Sequence, residues 1–249
     1  MTTLKNEKIK LYAKQLRLPV FNEYDEVIRQ LSNDASYEDF LIEIMSRELA
    51  ERSSSGVQRR IKSAKFPVFK SIDEFDTERL ECVSSAKITS LSSCDFIKSK
   101  QNIVMIGNPG SGKTHLATAL GINACRTGYK VKFYTAVNLA AELAEASQAA
   151  RLTRLEKNLS SVDLLIVDEL SYMTFNRYQS EMLFQVISER SERASVIITT
   201  NLEFSQWTQL FENEMMIAAM IDRLTYRSHI LNMNCGKSYR IDNHGKSFS

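Results

Sequence analysis

Three of the eight glycines in this 249-residue chain stand within six residues, at positions 107, 110 and 112. The segment GNPGSGKT, residues 107–114, fits G-x-x-x-x-G-K-[ST] at every fixed position. It follows the apolar run 103–106 and opens the amphipathic stretch 113–127, so it joins a predicted strand to a predicted helix. Such a loop turns backbone N–H groups and a helix N-terminus toward phosphate oxygens. The segment therefore predicts a nucleotide-binding loop.

The end of this loop carries the groups with separate chemical roles. Lys113 is expected to reach the β and γ phosphates of ATP, and Thr114 to hold Mg²⁺. His115 is expected to pack or cap at the helix start and not to act in catalysis. The alternative for the whole segment is a structural glycine turn. The predicted nucleotide-contacting residues are Gly107, Asn108, Pro109, Gly110, Ser111, Gly112, Lys113, Thr114 and His115.

Outside this loop, glycine and proline are scarce. The chain has 8 Gly and 3 Pro, which is 11 of 249 residues, whereas average usage would be roughly 12%. This scarcity excludes collagen-like and Pro-rich disordered classes and argues against an all-β protein, which needs many turns. It predicts a helix-rich globular chain.

Several classes of protein are excluded by the absence of their signals. No window approaches 18 uninterrupted apolar residues, and the N-terminus lacks the apolar core of a signal peptide. The four cysteines lie far apart without a C-x-x-C pair, which argues against a zinc site or a disulfide framework. We therefore expect a cytoplasmic protein with no membrane association.

Short apolar runs alternate with long amphipathic segments from Asn102 onward. This alternation predicts βα units that form a parallel sheet with helices on both faces, and such sheets bind ligands at the carboxyl ends of their strands. The fold class is therefore α/β, with a five-stranded parallel sheet. The predicted strands are 103–106, 131–134, 164–167, 196–199 and 230–233, and the predicted helices are 113–127, 137–159, 177–193 and 204–226.

The N-terminal quarter differs from this pattern, because its apolar residues follow helical periodicity. The first predicted helix contains Lys10 and Lys14, and a second is predicted near 24–31. A third begins after a cap at Asp34 or Ser36. The break Ser53–Gly56 is expected either to end the third helix or to hinge to a basic fourth one. We place a domain boundary near Phe66, giving a small all-α domain 1–65 for DNA or partner binding and an ATPase domain 66–249.

Basic residues are unevenly distributed, although the net charge is only +2. Six basic residues and no acid occur from Arg52 to Lys70, and three cations near the N-terminus repeat at i, i+4 and i+7, on one helix face. Such stretches can bind nucleic-acid phosphates, and the alternative is a solvated surface. The candidate DNA contacts are Lys10, Lys14, Arg17, Arg59 and Arg60.

Two further strands end in polar residues that suit nucleotide hydrolysis. The run 164–167 is followed by Asp168 and Glu169, the pattern of a Walker B motif. Asp168 is expected to bind Mg²⁺ through water, and Glu169 to polarise the attacking water. Asn201 follows the run VIITT and is a candidate to contact the γ-phosphate or orient water. The alternatives are an ordinary strand end entering solvent and an ordinary terminal Asn.

The segments GNPGSGKTH, LLIVDEL and IITTN, in this order and spacing, resemble AAA+ P-loop ATPases. The closer resemblance is to the IstB family, the helper ATPases of insertion-sequence transposition, which are related to the DnaC helicase loaders. The resemblance covers roughly residues 66–249. It includes the segments Asp73–Asp76, Asp95–Ile97 and Met220–Leu224.

The resemblance implies roles for arginines outside the motifs. Arg223 stands where this clade has its arginine finger, which reaches the γ-phosphate bound by the neighbouring subunit. Arg190 and Arg193 are rival finger candidates. Arg240 is a candidate second sensor, although only about 16 residues follow the last predicted strand, too few for a helical lid.

The resemblance also implies a function. It predicts an ATPase that uses ATP and Mg²⁺, forms ATP-dependent homo-oligomers on duplex DNA with little sequence preference, and recruits the transposase of the same element. One alternative is a DnaC-like loader of a replicative helicase. A second alternative is a P-loop kinase for a small molecule, which would be a monomer with a lid and would not need Glu169. A third is an ATP-switched scaffold with negligible turnover.

Overall fold

The computed structural model describes residues 2–72, 83–170, 175–209 and 214–234. Two predictions from the sequence therefore lie outside the described residues, namely the Asp73–Asp76 resemblance segment and the second-sensor role of Arg240. Among the described residues, no helix is both long enough and apolar enough to cross a membrane.

The chain divides into two compact units, residues 1–59 and 60–249. The third helix ends at Ala64, so its last residues, from Arg60, belong to the second unit. The assignment of domains 1–65 and 66–249 to DNA or partner binding and to ATP hydrolysis stays a prediction. The first unit contains α1 (Thr2–Leu16), a 3₁₀ turn (Pro19–Glu23), α2 (Tyr24–Gln30) and most of α3 (Tyr37–Ala64).

The predicted break at Ser53–Gly56 is wrong, because α3 runs through it without interruption. Hydrogen bonds one turn apart support the helix there: Ser55 Oγ donates to Glu51 Oε1 (2.9 Å), and Arg59 Nε donates to the Ser55 carbonyl (3.3 Å). One glycine in a helix interior, here the half-buried Gly56, costs only about 1 kcal/mol, which the long flanking helix offsets.

The predicted row of three cations on the first helix is also only partly present. Lys10 and Lys14 lie in α1, but α1 ends at Leu16. Arg17 follows with a left-handed backbone (φ 56°), so its side chain does not continue the i, i+4, i+7 face.

The second unit is built on a five-stranded parallel sheet, as predicted. The strand order is β2-β3-β4-β1-β5, and every neighbouring pair is parallel. The last strand begins two residues earlier than predicted, because its edge position tolerates the polar Ser228 and His229 opposite Asn102 and Ile103. The strands are β1 (Asn102–Ile106), β2 (Val131–Thr135), β3 (Leu164–Asp168), β4 (Ser195–Thr200) and β5 (Ser228–Asn232).

Two predicted helices differ from the prediction. The stretch 137–159 forms two helices, and the described residues of 204–226 form a 3₁₀ turn (Phe204–Gln209) and a helix from Glu214. Between the first two, Ala150 adopts φ 52°, and Arg151 N–H donates to the Ala146 carbonyl (2.7 Å). The helices are α4 (Ser85–Ser92), α5 (Asp95–Lys98), α6 (Lys113–Arg126), α7 (Ala136–Gln148), α8 (Leu152–Ser160), α9 (Arg177–Arg193) and α10 (Glu214–Tyr226).

The sheet is buried on both faces, because alternate strand residues enter separate hydrophobic clusters. Leu164 and Ile166 pack with side chains of α4, α5 and α6, whereas Leu165 and Val167 pack with those of α7, α9 and α10. All residues of β1, β3 and β4 are buried. This apolar sheet gives the loops at its carboxyl edge a rigid base.

Candidate nucleotide-binding and hydrolysis site

Three loops meet at the carboxyl edge of the sheet, because β4 lies between β1 and β3. Ile106 pairs with Thr200 and Val167 pairs with Ile198, so the residues that follow these strands emerge together. The Gly107 N–H donates to the Thr200 carbonyl (3.1 Å), which ties the glycine-rich loop to the end of β4. The structure thus assembles the segments after β1, β3 and β4 as the sequence predicts.

The loop glycines occupy positions where a side chain would be strained or would clash. Gly110 and Gly112 have positive φ angles of 81° and 89°, and Gly112 is the N-cap of α6. A Cβ on Gly107 would lie 2.8 Å from Ser111 Oγ and 2.9 Å from the backbone of Met233. The backbone path around the start of α6 therefore depends on glycine.

Lys113 folds back across this loop. Its side chain is only 8% exposed, and its Nζ donates to the carbonyls of Gly107 (2.6 Å) and Asn108 (2.9 Å) and to Ser111 Oγ (3.3 Å). The ammonium is thus held inside the curve of the loop, beside the α6 N-terminus, which carries partial positive charge. This arrangement suits a polyphosphate.

A hydroxyl and a carboxylate meet beside the loop. Thr114 Oγ1 lies 2.9 and 3.1 Å from the two carboxylate oxygens of Asp168, and Thr199 Oγ1 donates to Asp168 Oδ1 (2.5 Å). Burial raises the pKa of Asp168, while the hydrogen bonds from Thr199 and Thr114 oppose that shift. A buried carboxylate beside a hydroxyl is an oxygen donor set that suits Mg²⁺.

Glu169 stands at the end of β3 with an unusual backbone. Its φ is 57°, in the left-handed region that costs a non-glycine residue about 1 kcal/mol or more. The turn is held by two hydrogen bonds to one residue of β4: the N–H of Glu169 donates to Thr199 Oγ1 (2.9 Å) and the N–H of Leu170 to the Thr199 carbonyl (2.9 Å). The side chain of Glu169 is exposed at this edge.

Thr199 is a site residue that the sequence reasoning missed. Its hydroxyl contacts both acids of the Walker B pair, through the Asp168 carboxylate and the Glu169 N–H. Thr200 adds a parallel link, because its hydroxyl donates to the Leu170 carbonyl (2.8 Å). The signal was present as two consecutive threonines before Asn201.

We expect Thr199→Val to lower the rate of ATP hydrolysis about 10- to 100-fold, because positioning groups around a metal site typically contribute that much. The valine keeps the volume and β-branching but loses the hydroxyl that orients Asp168 and Glu169. Steady-state ATPase assays, with circular dichroism to check folding, measure this. Thr127→Val is the matched control, since that hydroxyl follows the C-terminal end of α6 and donates to the carbonyls of Asn123 (3.2 Å) and Ala124 (3.0 Å). Equal rates for Thr199→Val and wild type would contradict the role.

The structure gives the positions of Asn201 and His115 and does not assign either a role in catalysis. Asn201 is half-buried directly after β4, at the edge that carries the glycine-rich loop, so its predicted contact with the γ-phosphate stays a prediction. His115 Nε2 lies 3.4 Å from the Ser71 carbonyl, which fits the packing role expected for it.

Arg223 lies at the opposite edge of the sheet. It is one turn before Arg227, whose carbonyl accepts from Asn102 N–H at the start of β1 (2.8 Å). The two ends of a five-residue strand are about 16 Å apart, so Arg223 is remote from the glycine-rich loop of its own chain. Its Nε pairs with Glu192 Oε1 (3.0 Å), and its guanidinium lies 5.8 Å from the centre of the Phe184 ring.

The rival arginines differ in exposure. Arg190 is 4% exposed, its Nη1 donates to the Ser160 carbonyl (3.3 Å), and burial lowers its pKa. Arg193 is exposed and pairs with Glu189 one turn earlier on α9 (3.0 Å). The geometry therefore disfavours Arg190, whereas the finger roles of Arg223 and Arg193 stay predictions.

The candidate DNA contacts differ in solvent exposure and in their hydrogen bonds. Lys10, Lys14 and Arg59 are exposed. Arg60 is half-buried, and its Nε donates to the Cys125 carbonyl at the end of α6 (2.8 Å), so part of its guanidinium caps a helix. All of these contacts with DNA stay predictions.

The family described as "IstB-like ATP binding protein" matches residues 12–247 of the chain. The chain belongs to this family. The relatives of this IstB-like chain include the ATP-binding protein of insertion sequence IS5376 from Geobacillus stearothermophilus, 35% identical, with 94% of each chain covered. They also include that of insertion sequence IS21 from Pseudomonas aeruginosa, 34% identical, with 84% of this chain and 78% of the relative covered.

Solved structures confirm the AAA+ fold of this IstB-like chain. AMPPCP-bound DnaA from Aquifex aeolicus matches with a TM-score of 0.56 and 17% identity, covering 74% of this chain and 57% of DnaA. DnaI matches with a TM-score of 0.55 and 15% identity, covering 76% of this chain and 100% of DnaI.

Proposed function

We propose that this chain is an ATP-hydrolysing AAA+ protein that assembles on duplex DNA and assists the transposase of its insertion sequence. The observation that carries the proposal is the joint placement of the Lys113 ammonium, the Thr114–Asp168 pair and Glu169 at one edge of the sheet. The family membership and the insertion-sequence origin of the relatives support the transposition context.

The glycine-rich loop is proposed to bind the ATP phosphates. Its N–H groups and the α6 N-terminus would face the phosphate oxygens, and Lys113 would exchange its carbonyl contacts for the β and γ phosphates. Thr114 and Asp168 would hold Mg²⁺, which neutralises charge on the phosphates when bound. The short hydroxyl–carboxylate contact between Thr114 and Asp168 supports this assignment.

Hydrolysis is proposed to use Glu169 as the group that accepts a proton from the attacking water. The Thr199 contacts hold the Glu169 backbone in place, so the carboxylate is presented from a fixed turn beside Asp168. Asn201 would orient the water or contact the γ-phosphate from the end of β4. A P-loop kinase would not need Glu169, so the acid pair supports hydrolysis over transfer to a small molecule.

Arg223 is proposed to act on the ATP of a neighbouring subunit. It lies at the sheet edge remote from its own glycine-rich loop, and a partly exposed guanidinium there is available to a second chain. Because one chain would supply Lys113 and the next Arg223, bound ATP would join subunits, and hydrolysis would release them. An oligomer built this way repeats its phosphate contacts on DNA and gains affinity through multivalency.

Electron microscopy and sedimentation velocity, with and without duplex DNA and ATP, test the proposal. We expect large assemblies only when both ligands are present, with little dependence on DNA sequence, because phosphate contacts position a protein without reading bases. A monomer that ignores both ligands would contradict the proposal. Lys113→Ala should prevent assembly, whereas Lys157→Ala, which removes an exposed lysine of α8, should not.

A helicase loader of the DnaC type is the second candidate, since it would use the same ATPase site. The fold likeness to DnaI supports this candidate only at the level of fold. Affinity capture from cells with the tagged protein separates the two functions. Recovery of a transposase supports the proposal, and recovery of a replicative helicase supports the alternative.

A further inference from the structure

The first unit contains an apolar cavity of about 510 Å³ that opens to the surface. Most of its lining side chains are hydrophobic, and no residue of the ATPase site contributes to it. We call it the N-terminal groove. It is lined by Ile9, Phe21, Tyr24, Ile28, Leu31, Ser32, Ala35, Ser36, Tyr37 and Phe40.

The segment that lines most of the N-terminal groove is rich in acids, and Asp39 Oδ2 accepts from the N–H (2.9 Å) and the Oγ (2.7 Å) of the lining residue Ser36. Residues 24–40 supply eight of the ten lining residues. The same segment carries five acids and one base, Arg29. Because like charges repel, these acids disfavour a nucleic-acid phosphate and favour a basic partner. The cavity therefore calls for an occupant with apolar side chains flanked by cations.

Helix α1 has this composition. It contains four lysines and one glutamate. Leu4 and Leu11 are seven residues apart, so they share a face, and they are 64% and 52% exposed. Ala13, on the opposite face, is buried. The helix thus presents two unpartnered leucines among lysines.

The α1 helix cannot place these leucines in the groove of its own chain. Ile9 of α1 forms part of the groove wall. Leu11 is two positions further along, which turns it by about 200° around the helix axis, away from that wall. A leucine from α1 reaches an N-terminal groove only when it comes from another copy.

We infer that α1 of one copy docks into the N-terminal groove of the next copy. Leu4 and Leu11 enter the apolar cavity, and the α1 lysines face the acids of 24–40. This is a helix-in-groove contact. It is heterologous, because the helix of each copy meets the groove of its neighbour, so it repeats along a ring or filament.

The contact is small, so on its own it gives weak, concentration-dependent association into small oligomers, and large assemblies still need ATP and DNA. Two leucines and a few exposed ion pairs give weak association alone. The contact adds affinity once other surfaces hold the copies together. It does not involve the nucleotide, so it is tested without ATP, and its failure would leave ATP-driven assembly untouched.

Photo-crosslinking of the full chain tests the contact. Leu11→p-benzoylphenylalanine protein labelled with ¹⁵N is mixed with unlabelled wild type, without nucleotide or DNA, and irradiated. We expect mass spectrometry to find labelled α1 peptides joined to unlabelled peptides from 24–40. Leu49→p-benzoylphenylalanine is the control, because Leu49 is 70% exposed on α3 and does not line the groove. Crosslinks confined to one isotope, or directed to the ATPase unit, would overturn the inference.

Sedimentation equilibrium gives a second, independent measurement. Leu11→Gln should weaken nucleotide-free self-association at least about fivefold, whereas Leu49→Gln should leave it unchanged, since glutamine is a good helix former at either exposed position. Circular dichroism checks that both variants fold. Equal self-association of Leu11→Gln and wild type would overturn the inference. In the crosslinking experiment, transposase can also be added, and its capture at Leu11 in place of a second copy would overturn the inference as well.

Discussion

Glu169→Gln is expected to lower the rate of ATP hydrolysis by at least about 100-fold, because a positioned general base typically contributes 10²- to 10⁴-fold. Glutamine keeps the size of the side chain and cannot accept the proton from water. The left-handed turn should persist, because the hydrogen bonds to Thr199 involve backbone N–H groups of Glu169 and Leu170. ATP binding should therefore remain, and the variant should accumulate as DNA-bound assemblies.

The measurement pairs a steady-state ATPase assay with the lifetime of the assembly on DNA after dilution. Glu181→Gln is the matched control, since Glu181 is an exposed acid of α9 that pairs only with Arg177 among the contacts the structure describes. If Glu169→Gln bound ATP but failed to assemble, the acid would have a different role from the one proposed.

Arg223→Ala is expected to lower hydrolysis by about 10³-fold or more, the range measured for arginine fingers. Nucleotide binding to the isolated chain should change little, because Arg223 lies at the far edge of the sheet from its own glycine-rich loop. The variant loses the ion pair with Glu192, but exposed pairs contribute about 1 kcal/mol or less, so folding should be retained.

Arg193→Ala is the comparison variant, because it removes the rival exposed, ion-paired arginine at the end of α9, and we expect it to hydrolyse ATP at the wild-type rate. Equilibrium binding of a fluorescent ATP analogue separates binding from hydrolysis. Loss of binding in Arg223→Ala would exclude the finger role and indicate that the residue supports the fold.

The central features of the site were predictable because each depends on local chemistry. The glycine pattern at 107–112 reports positive φ angles and close backbone approach, which few other residues allow. The apolar runs reported strands buried on both faces, and their order predicted loops that meet at one edge. These signals are strong because they need no knowledge of distant contacts.

The parts that sequence reasoning missed depend on tertiary contacts or on unusual residues at caps. The end of α7 is a left-handed cap at Ala150, where glycine is the usual signal, so the stretch 137–159 read as one helix. The Ser53–Gly56 segment contained the usual break residues, yet the helix continued through them. Thr199 was missed because its role depends on a tertiary contact. It lies on β4 and bonds Asp168 on the neighbouring strand β3, 31 residues earlier in the sequence.

The distance between Arg223 and its own glycine-rich loop makes the proposed catalytic unit a junction of two polypeptides. Two defective chains should then complement each other. When Glu169→Gln and Arg223→Ala are mixed equally, about one junction in four pairs an intact Glu169 with an intact Arg223. Activity should reappear from two inactive preparations and should vanish on dilution with a steep dependence on protein concentration. The rate of ATP hydrolysis would then depend on how often two chains associate, and a monomer would hold bound ATP without hydrolysing it until it joins another chain.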